Sequence, residues 1–186
     1  MGVSVIWSYM DQKGTGRIRK FVAVDQPAAV AAVPWMTDAE QSESGATFGV
    51  DGLVDLGASL NGEDGPAATE SFVRSMFSGT PAQEVWDFVA QGITSTPAYA
   101  GVPLLFDHAT QDWRDVLPRI DVPTLVLGCD GSRVSPDSQR YIADRIPNAQ
   151  LHVFPTDVAN SHFMFLENPE AFNAVVEAFL SCGSLR

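Results

Sequence analysis

The sequence is poor in cysteine, in basic residues and in long apolar runs, and each shortage argues against a class of protein. The two cysteines, Cys129 and Cys182, form neither a disulfide framework nor a metal-binding spacing, so we expect a reducing, cytoplasmic setting. Lysine and arginine number 11 against 23 acidic residues, and the net charge of −12 disfavours nucleic-acid and anionic-membrane partners. No apolar run is long enough to span a bilayer, and the first residues lack a secretory signal pattern.

The remaining composition is that of an ordinary globular domain. Hydrophobic residues make up 45% of the chain and charged residues 18%. A chain of 186 residues is long enough to bury a substantial core, so we expect one domain over residues 1–186.

A histidine near the end of the chain lies between two predicted elements. Gln150–Phe154 has the pattern of a strand, and an amphipathic helix is predicted from about Pro169 to Leu180. His162 falls between them, where a side chain can project into a cleft while both elements stay buried. Imidazole titrates near neutrality and can take and return a proton, although a lone histidine is more often structural.

The rest of the chain alternates predicted strands and helices. A helix over residues 1–13 precedes the strand Phe21–Asp25, and a second strand, Ile120–Gly128, precedes a helix over Pro136–Ile146. Between about 28 and 103 the chain loses strand character, and helical spacing returns at 67–78 and 81–91. This order predicts an α/β chain of about three parallel strands with crossover helices.

Three stretches together resemble a known superfamily. They are the helix and strand of residues 1–25, the stretch DHATQDWRDVLPRI at 107–120, and SHFMFLENPEAFN at 161–173. The chain resembles the C-terminal part of the α/β-hydrolase fold, in a haloperoxidase- and esterase-like subgroup. The resemblance implies a helical cap over approximately 28–103 and makes His162 the general base. Within 107–120 we expect His108 to be structural and Asp112 to pair with Arg114.

The resemblance also bears on the nucleophile. Met1-Gly2 matches the last two positions of a Gly-x-Ser-x-Gly elbow, which leads into a helix and then a strand. The nucleophilic serine would then stand immediately before Met1, and the chain would start inside the catalytic motif. The alternative is a genuine N-terminus on a buried helix. Ser4 and Ser8 are no substitutes, because a hydroxyl within a helix lacks the strained turn that exposes an elbow serine.

Two carboxylates compete for the role of triad acid. The family usually places the acid in the loop after the strand that ends at Gly128, but the match puts Ser132 at that position. Asp130 lies two residues earlier and reaches the histidine only if the loop bulges. Asp25 follows the preceding strand, at the ligand-binding edge of a parallel sheet, and needs no loop distortion. The sequence therefore favours Asp25 slightly over Asp130.

The resemblance implies hydrolysis of a small ester or acyl substrate, without a metal or an organic cofactor. The expected substrate is small and partly apolar. A cofactor-free haloperoxidase or dioxygenase is one alternative. Another is a non-catalytic, truncated chain that needs a partner, as a homo-oligomer or through an exposed half-sheet. In each case we expect the 186 residues alone to have negligible esterase activity, because they lack the nucleophile.

Overall fold

The structure is a computed structural model that describes residues 1–182, except for the side chain of Thr94; residues 183–186 of the predicted domain lie outside the described residues. Its strands are β1 (Phe21–Val24), β2 (Ala31–Ala32), β3 (Phe48–Gly49), β4 (Thr124–Cys129) and β5 (Ala149–Phe154). Its helices are α1 (Gly2–Lys13), α2 (Asp38–Ser44), α3 (Val50–Leu60), α4 (Gly65–Arg74), α5 (Gln83–Ser95), α6 (Ala98–Thr110), α7 (Pro136–Arg145), α8 (Met164–Glu167) and α9 (Pro169–Ser181). None of the helices within residues 1–182 is both long enough and apolar enough to cross a membrane.

The main sheet has three parallel strands in the order β1-β4-β5, which confirms the predicted α/β architecture. Val24 is paired with Leu127, and Leu127 is paired in turn with His152 on β5. Because all three strands are parallel, their carboxyl ends meet at one edge of the sheet. The loops that follow β1, β4 and β5 therefore lie side by side.

Residues of β1 and β4 alternate between two cores, one on each face of the sheet. On one face Phe21, Ala23 and Val126 pack with Trp7 of α1 and Ile142 of α7. On the other face Leu125, Leu127 and Cys129 pack with Phe179 of α9. This alternation is the pattern of strands that are buried on both faces. The sheet therefore lies between helices on either side.

Five helices and the short parallel pair β2–β3 occupy the segment between β1 and the 3₁₀ turn at Leu117–Arg119, which we call the inserted segment. The sequence does not predict β2 and β3, because two residues are too few to show alternation. Helix α6 runs through Pro103, where we placed the end of the insertion. A proline removes one helical hydrogen bond, but packing outweighs that loss here. Phe106 of α6 lies so close to Gly57 of α3 that any larger residue at 57 would overlap its ring.

The expected ion pair is present where this segment returns to the core. Arg114 Nη2 lies 2.6 Å from Asp112 Oδ2, and hydrogen bonds from Arg114 lower the pKa of Asp112 although burial raises it. Trp113 donates its backbone N–H to Ala28 and contacts Trp7, with 6.4 Å between ring centroids. This stretch fastens the start of the inserted segment to α1.

The strands β1 and β5 form the two edges of the main sheet within residues 1–182. An unpaired strand edge can accept a further strand from another chain or segment. Association through this half-sheet remains a prediction.

Candidate active site

Asp25 lies directly after β1, at the carboxyl edge of the sheet, and its side chain is fully buried. Its N–H donates to the carbonyl of Leu127 at 2.8 Å, which continues the ladder by one residue. It is the single non-glycine residue with positive φ (46°) within residues 1–182. A left-handed backbone costs a non-glycine residue about 1–2 kcal/mol, and aspartate is among the residues that tolerate it best. Such strain is often stored at functional sites.

His162 lies in the loop between β5 and α8. Its backbone N–H donates to the carbonyl of Met76 at 3.2 Å, and the following Phe163 stacks on Phe77 with 4.4 Å between centroids. The residue before it, Ser161, is buried and its hydroxyl accepts the N–H of Phe163. The inserted segment thus contacts the loop of His162 through Met76 and Phe77.

These two side chains meet. His162 Nδ1 lies 2.8 Å from Asp25 Oδ2, with the imidazole about one-third exposed (36%) and the carboxylate at 0%. A carboxylate is an acceptor, so the imidazole carries a proton on Nδ1 and Nε2 is the nitrogen left for exchange. The arrangement can take up a proton at Nε2 and stabilise the resulting imidazolium with a buried charge.

Ser132 shares the same carboxylate oxygen. Its hydroxyl donates to Asp25 Oδ2 at 2.5 Å and accepts the N–H of Val134 at 3.2 Å. At Gly131 the loop after β4 approaches the loop of His162 so closely that any side chain at this position would overlap Asn160. The loop after β4 therefore contributes a hydroxyl to the pair rather than an acid.

The structure does not bring Asp130 to the histidine. Its side chain is exposed, and its backbone N–H donates to the carbonyl of Phe154 at 3.0 Å. That bond extends the ladder between β4 and β5 by one residue, so the loop does not bulge at the position where Asp130 would need it.

A cavity of about 220 Å³ opens in front of His162 and Asp25. Its walls are mainly apolar and come from the loop after β1, the inserted segment and the loop after β4, with contributions from Val30, Phe48, Phe72, Met76, Leu105 and Val134. Arg133 and His108 are among its polar residues, and no sequence pattern pointed to Arg133. Nothing in the pattern of an exposed arginine after a strand distinguishes a cavity wall from open surface.

Within residues 1–182, neither a serine nor a cysteine lines this cavity. The hydroxyl of Ser132 is engaged by Asp25. Cys129 is buried beneath the site, and burial raises the pKa of its thiol to about 12, so the nucleophilic thiolate is not available at neutral pH. The same part of the chain contains no group of three His, Cys, Asp or Glu side chains placed to hold a metal ion.

His108 faces the cavity from α6. Its Nδ1 is buried without a hydrogen-bond partner among the described residues, and burial lowers its pKa to about 4. The ring is therefore neutral in the folded protein at any pH above that value. A neutral, half-buried imidazole on a mainly apolar wall fits the structural role expected from the sequence, which remains a prediction.

We expect His108 to make the fold sensitive to acid. Its pKa is lower in the folded state than the ordinary 6.5, so between these values the unfolded chain binds a proton that the folded chain does not. The neutral His108 ring therefore makes its full contribution to the free energy of unfolding above pH 6.5, and this contribution is lost as the pH drops towards 4. The free energy of unfolding, measured in urea at about pH 7.5 and about pH 5, should fall less between these two pH values for His108→Gln than for the wild type. Equal losses would contradict this assignment.

The fold agrees with comparisons to known proteins. A family model described as "Alpha/beta hydrolase family" matches residues 5–175. A putative non-heme chloroperoxidase from Synechocystis sp. is 27% identical over 168 residues, which cover 83% of this chain and 56% of that protein. The chain thus spans little more than half the length of this relative.

Two solved structures have the same fold. Bromoperoxidase from Bacillus anthracis superposes with a TM-score of 0.83 at 16% identity, over 97% of this chain and 64% of that one. An esterase from Exiguobacterium antarcticum gives 0.80 at 17% identity, over 96% and 63%. At such identities the structural similarity is evidence for the fold alone. The family model, in contrast, matches residues 5–175, which is most of the chain. The chain therefore belongs to the alpha/beta hydrolase family.

Proposed function

We propose that this chain supplies the general base and the acid of a serine-type hydrolase that acts on a small ester or acyl substrate. The observation that carries the proposal is the 2.8 Å contact between His162 Nδ1 and the fully buried Asp25 carboxylate, at the wall of a cavity. A buried acid, a partly exposed imidazole and an adjoining apolar cavity are three of the components that acyl transfer requires, the nucleophile being another.

In this mechanism His162 Nε2 accepts the proton of the nucleophilic hydroxyl as it attacks the acyl carbon. The same nitrogen then returns the proton to the leaving group. Asp25 keeps the proton of the neutral ring on Nδ1 and stabilises the imidazolium. Ser132 donates to the same carboxylate oxygen and so helps to hold it in place. The nucleophile is contributed from outside the described residues, since no serine or cysteine among them lines the cavity.

The cavity also bears on the substrate. A volume of about 220 Å³ with mainly apolar walls suits a compact acyl group better than a polymer or a highly polar metabolite. The walls come largely from the segment between β1 and β4, which we therefore propose acts as a cap over the site.

A serine-directed probe tests this proposal. We expect a fluorophosphonate to label the protein as it occurs in its native source, and that protein to hydrolyse p-nitrophenyl butyrate. The isolated 186-residue chain should bind no probe at stoichiometric level, because neither a serine nor a cysteine within residues 1–182 lines its cavity. Full labelling of the isolated chain, or an unlabelled and inactive native protein, would contradict the proposal.

An oxidative reaction is the second candidate. It is favoured by the names of two similar proteins, a putative non-heme chloroperoxidase and a bromoperoxidase. It would use the same histidine as a base, towards an acidic ring substrate. Oxygen uptake with a heteroaromatic substrate, together with no ester turnover, would decide for this alternative.

A further inference from the structure

We propose that Arg133 anchors a carboxylate group on the substrate, and hence that the substrate is a small acyl compound with one negative charge away from the bond that reacts. The inference rests on the proposed function for the reaction, but it concerns recognition and stands on different residues. Arg133 is the one lysine or arginine among the residues, within 1–182, that line the cavity.

The guanidinium is held in position by the inserted segment. Its Nη1 donates to Ser75 Oγ at 2.8 Å, and that hydroxyl donates in turn to the carbonyl of Phe72 at 2.6 Å. The guanidinium carbon also lies 5.6 Å from the ring centroid of Phe48. These contacts restrain an otherwise flexible side chain against the cavity wall, which reduces the entropy lost when a ligand binds.

The positive charge has no acidic partner. Among the described residues, no aspartate or glutamate forms an ion pair with Arg133, although the chain carries 23 acidic residues and only 11 basic ones. Arg74, Arg114, Arg119 and Arg140 each lie within 4.0 Å of a carboxylate, and among the basic side chains of residues 1–182 that have no such partner, Arg133 is the one that lines the cavity. An unpaired cation at the wall of a cavity attracts an anionic group of a ligand, even in a protein with a net charge of −12.

The chemistry of the site selects a planar anion with one charge. Guanidinium offers five N–H donors in a fork that matches both oxygens of a carboxylate, and Ser75 uses one nitrogen. The single charge of the guanidinium balances a single negative charge, which favours a carboxylate over a phosphate dianion. The buried Asp25 carboxylate repels a second anion near His162. The substrate is therefore oriented with its carboxylate at Arg133 and its acyl carbon near the histidine.

Binding of two matched probes tests the proposal without any turnover. Titrations followed by NMR chemical shifts compare 4-phenylbutanoate with 4-phenylbutanamide, which differ in charge but hardly in size. Because Arg133 is exposed, we expect the carboxylate to bind only about 10-fold more tightly at low salt, and the preference to shrink as salt is added.

Three variants locate the effect. Arg133→Gln should abolish the preference, and Arg133→Lys should keep only part of it, because an ammonium group lacks the fork. Arg140→Gln changes an exposed arginine of α7 that does not line the cavity, and it should keep the full preference. Thermal unfolding checks that each variant is folded.

Equal affinities of the wild type for both probes, or a preference that survives in Arg133→Gln, would overturn the proposal. The outcome is separate from that of the serine probe. A retained charge preference in a protein without esterase activity would refute the reaction and leave the anion site standing.

Discussion

His162→Gln is expected to lower kcat/KM for ester hydrolysis by about 10⁴-fold or more, because it removes the imidazole that accepts and returns the proton in the proposed mechanism. Glutamine has no titratable nitrogen, so it can neither accept the hydroxyl proton nor stabilise the charge that forms. The measurement is steady-state kinetics on the active protein from its native source, compared with the same protein carrying the substitution. KM should change little, since the imidazole acts on the reacting atoms.

A matched variant controls for the loss of a histidine as such. His152 lies on β5, contacts the ring of Phe154 with 4.5 Å between centroids, and does not line the cavity. His152→Gln should keep activity within about 2–3-fold of the wild type, as expected for a substitution outside the site. If both variants lost activity equally, or if His162→Gln stayed active, the assignment of the base would be wrong.

Asp25→Asn should lower kcat/KM by about 10³- to 10⁴-fold while leaving the fold intact. The amide has the shape of the carboxylate but can donate its own hydrogens to Nδ1. That moves the ring proton to Nε2, the nitrogen that must accept the proton of the nucleophile. The ¹⁵N chemical shifts of the His162 ring report this tautomer directly, and they can be recorded on the 186-residue chain without any substrate.

Asp130→Asn is the matched comparison. Its side chain is exposed and lies away from the pair, so both the tautomer of His162 and the rate should stay as in the wild type. An unchanged tautomer in Asp25→Asn would remove Asp25 from the mechanism. Mild and equal effects of both substitutions would leave neither carboxylate as the acid.

The sequence alone predicted the strands of the main sheet and the helix that follows Pro169. The apolar run at 120–128 predicts a buried strand, and the spacing of apolar residues after Pro169 predicts the amphipathic helix α9, which the structure begins at that proline. These predictions succeeded because periodicity and helix-start signals depend on residues close together in the chain. Local patterns failed at β2 and β3, which exist only because Ala31 and Phe48 are brought together by the surrounding helices.

The candidate site was likewise predicted in part from the sequence and decided in part by the tertiary structure. The resemblance to the α/β-hydrolase fold singled out His162 and narrowed the acid to Asp25 or Asp130, and both carboxylates follow strands that end at the same edge of a sheet. Only the tertiary structure placed one of them against the histidine, since residues 25 and 162 are 137 positions apart and their contact depends on the strand order β1-β4-β5. Arg133 became recognisable for the same reason, because Ser75 and Phe48 reach it only after folding. Elements follow from local sequence, whereas the distance between two side chains follows from how those elements pack.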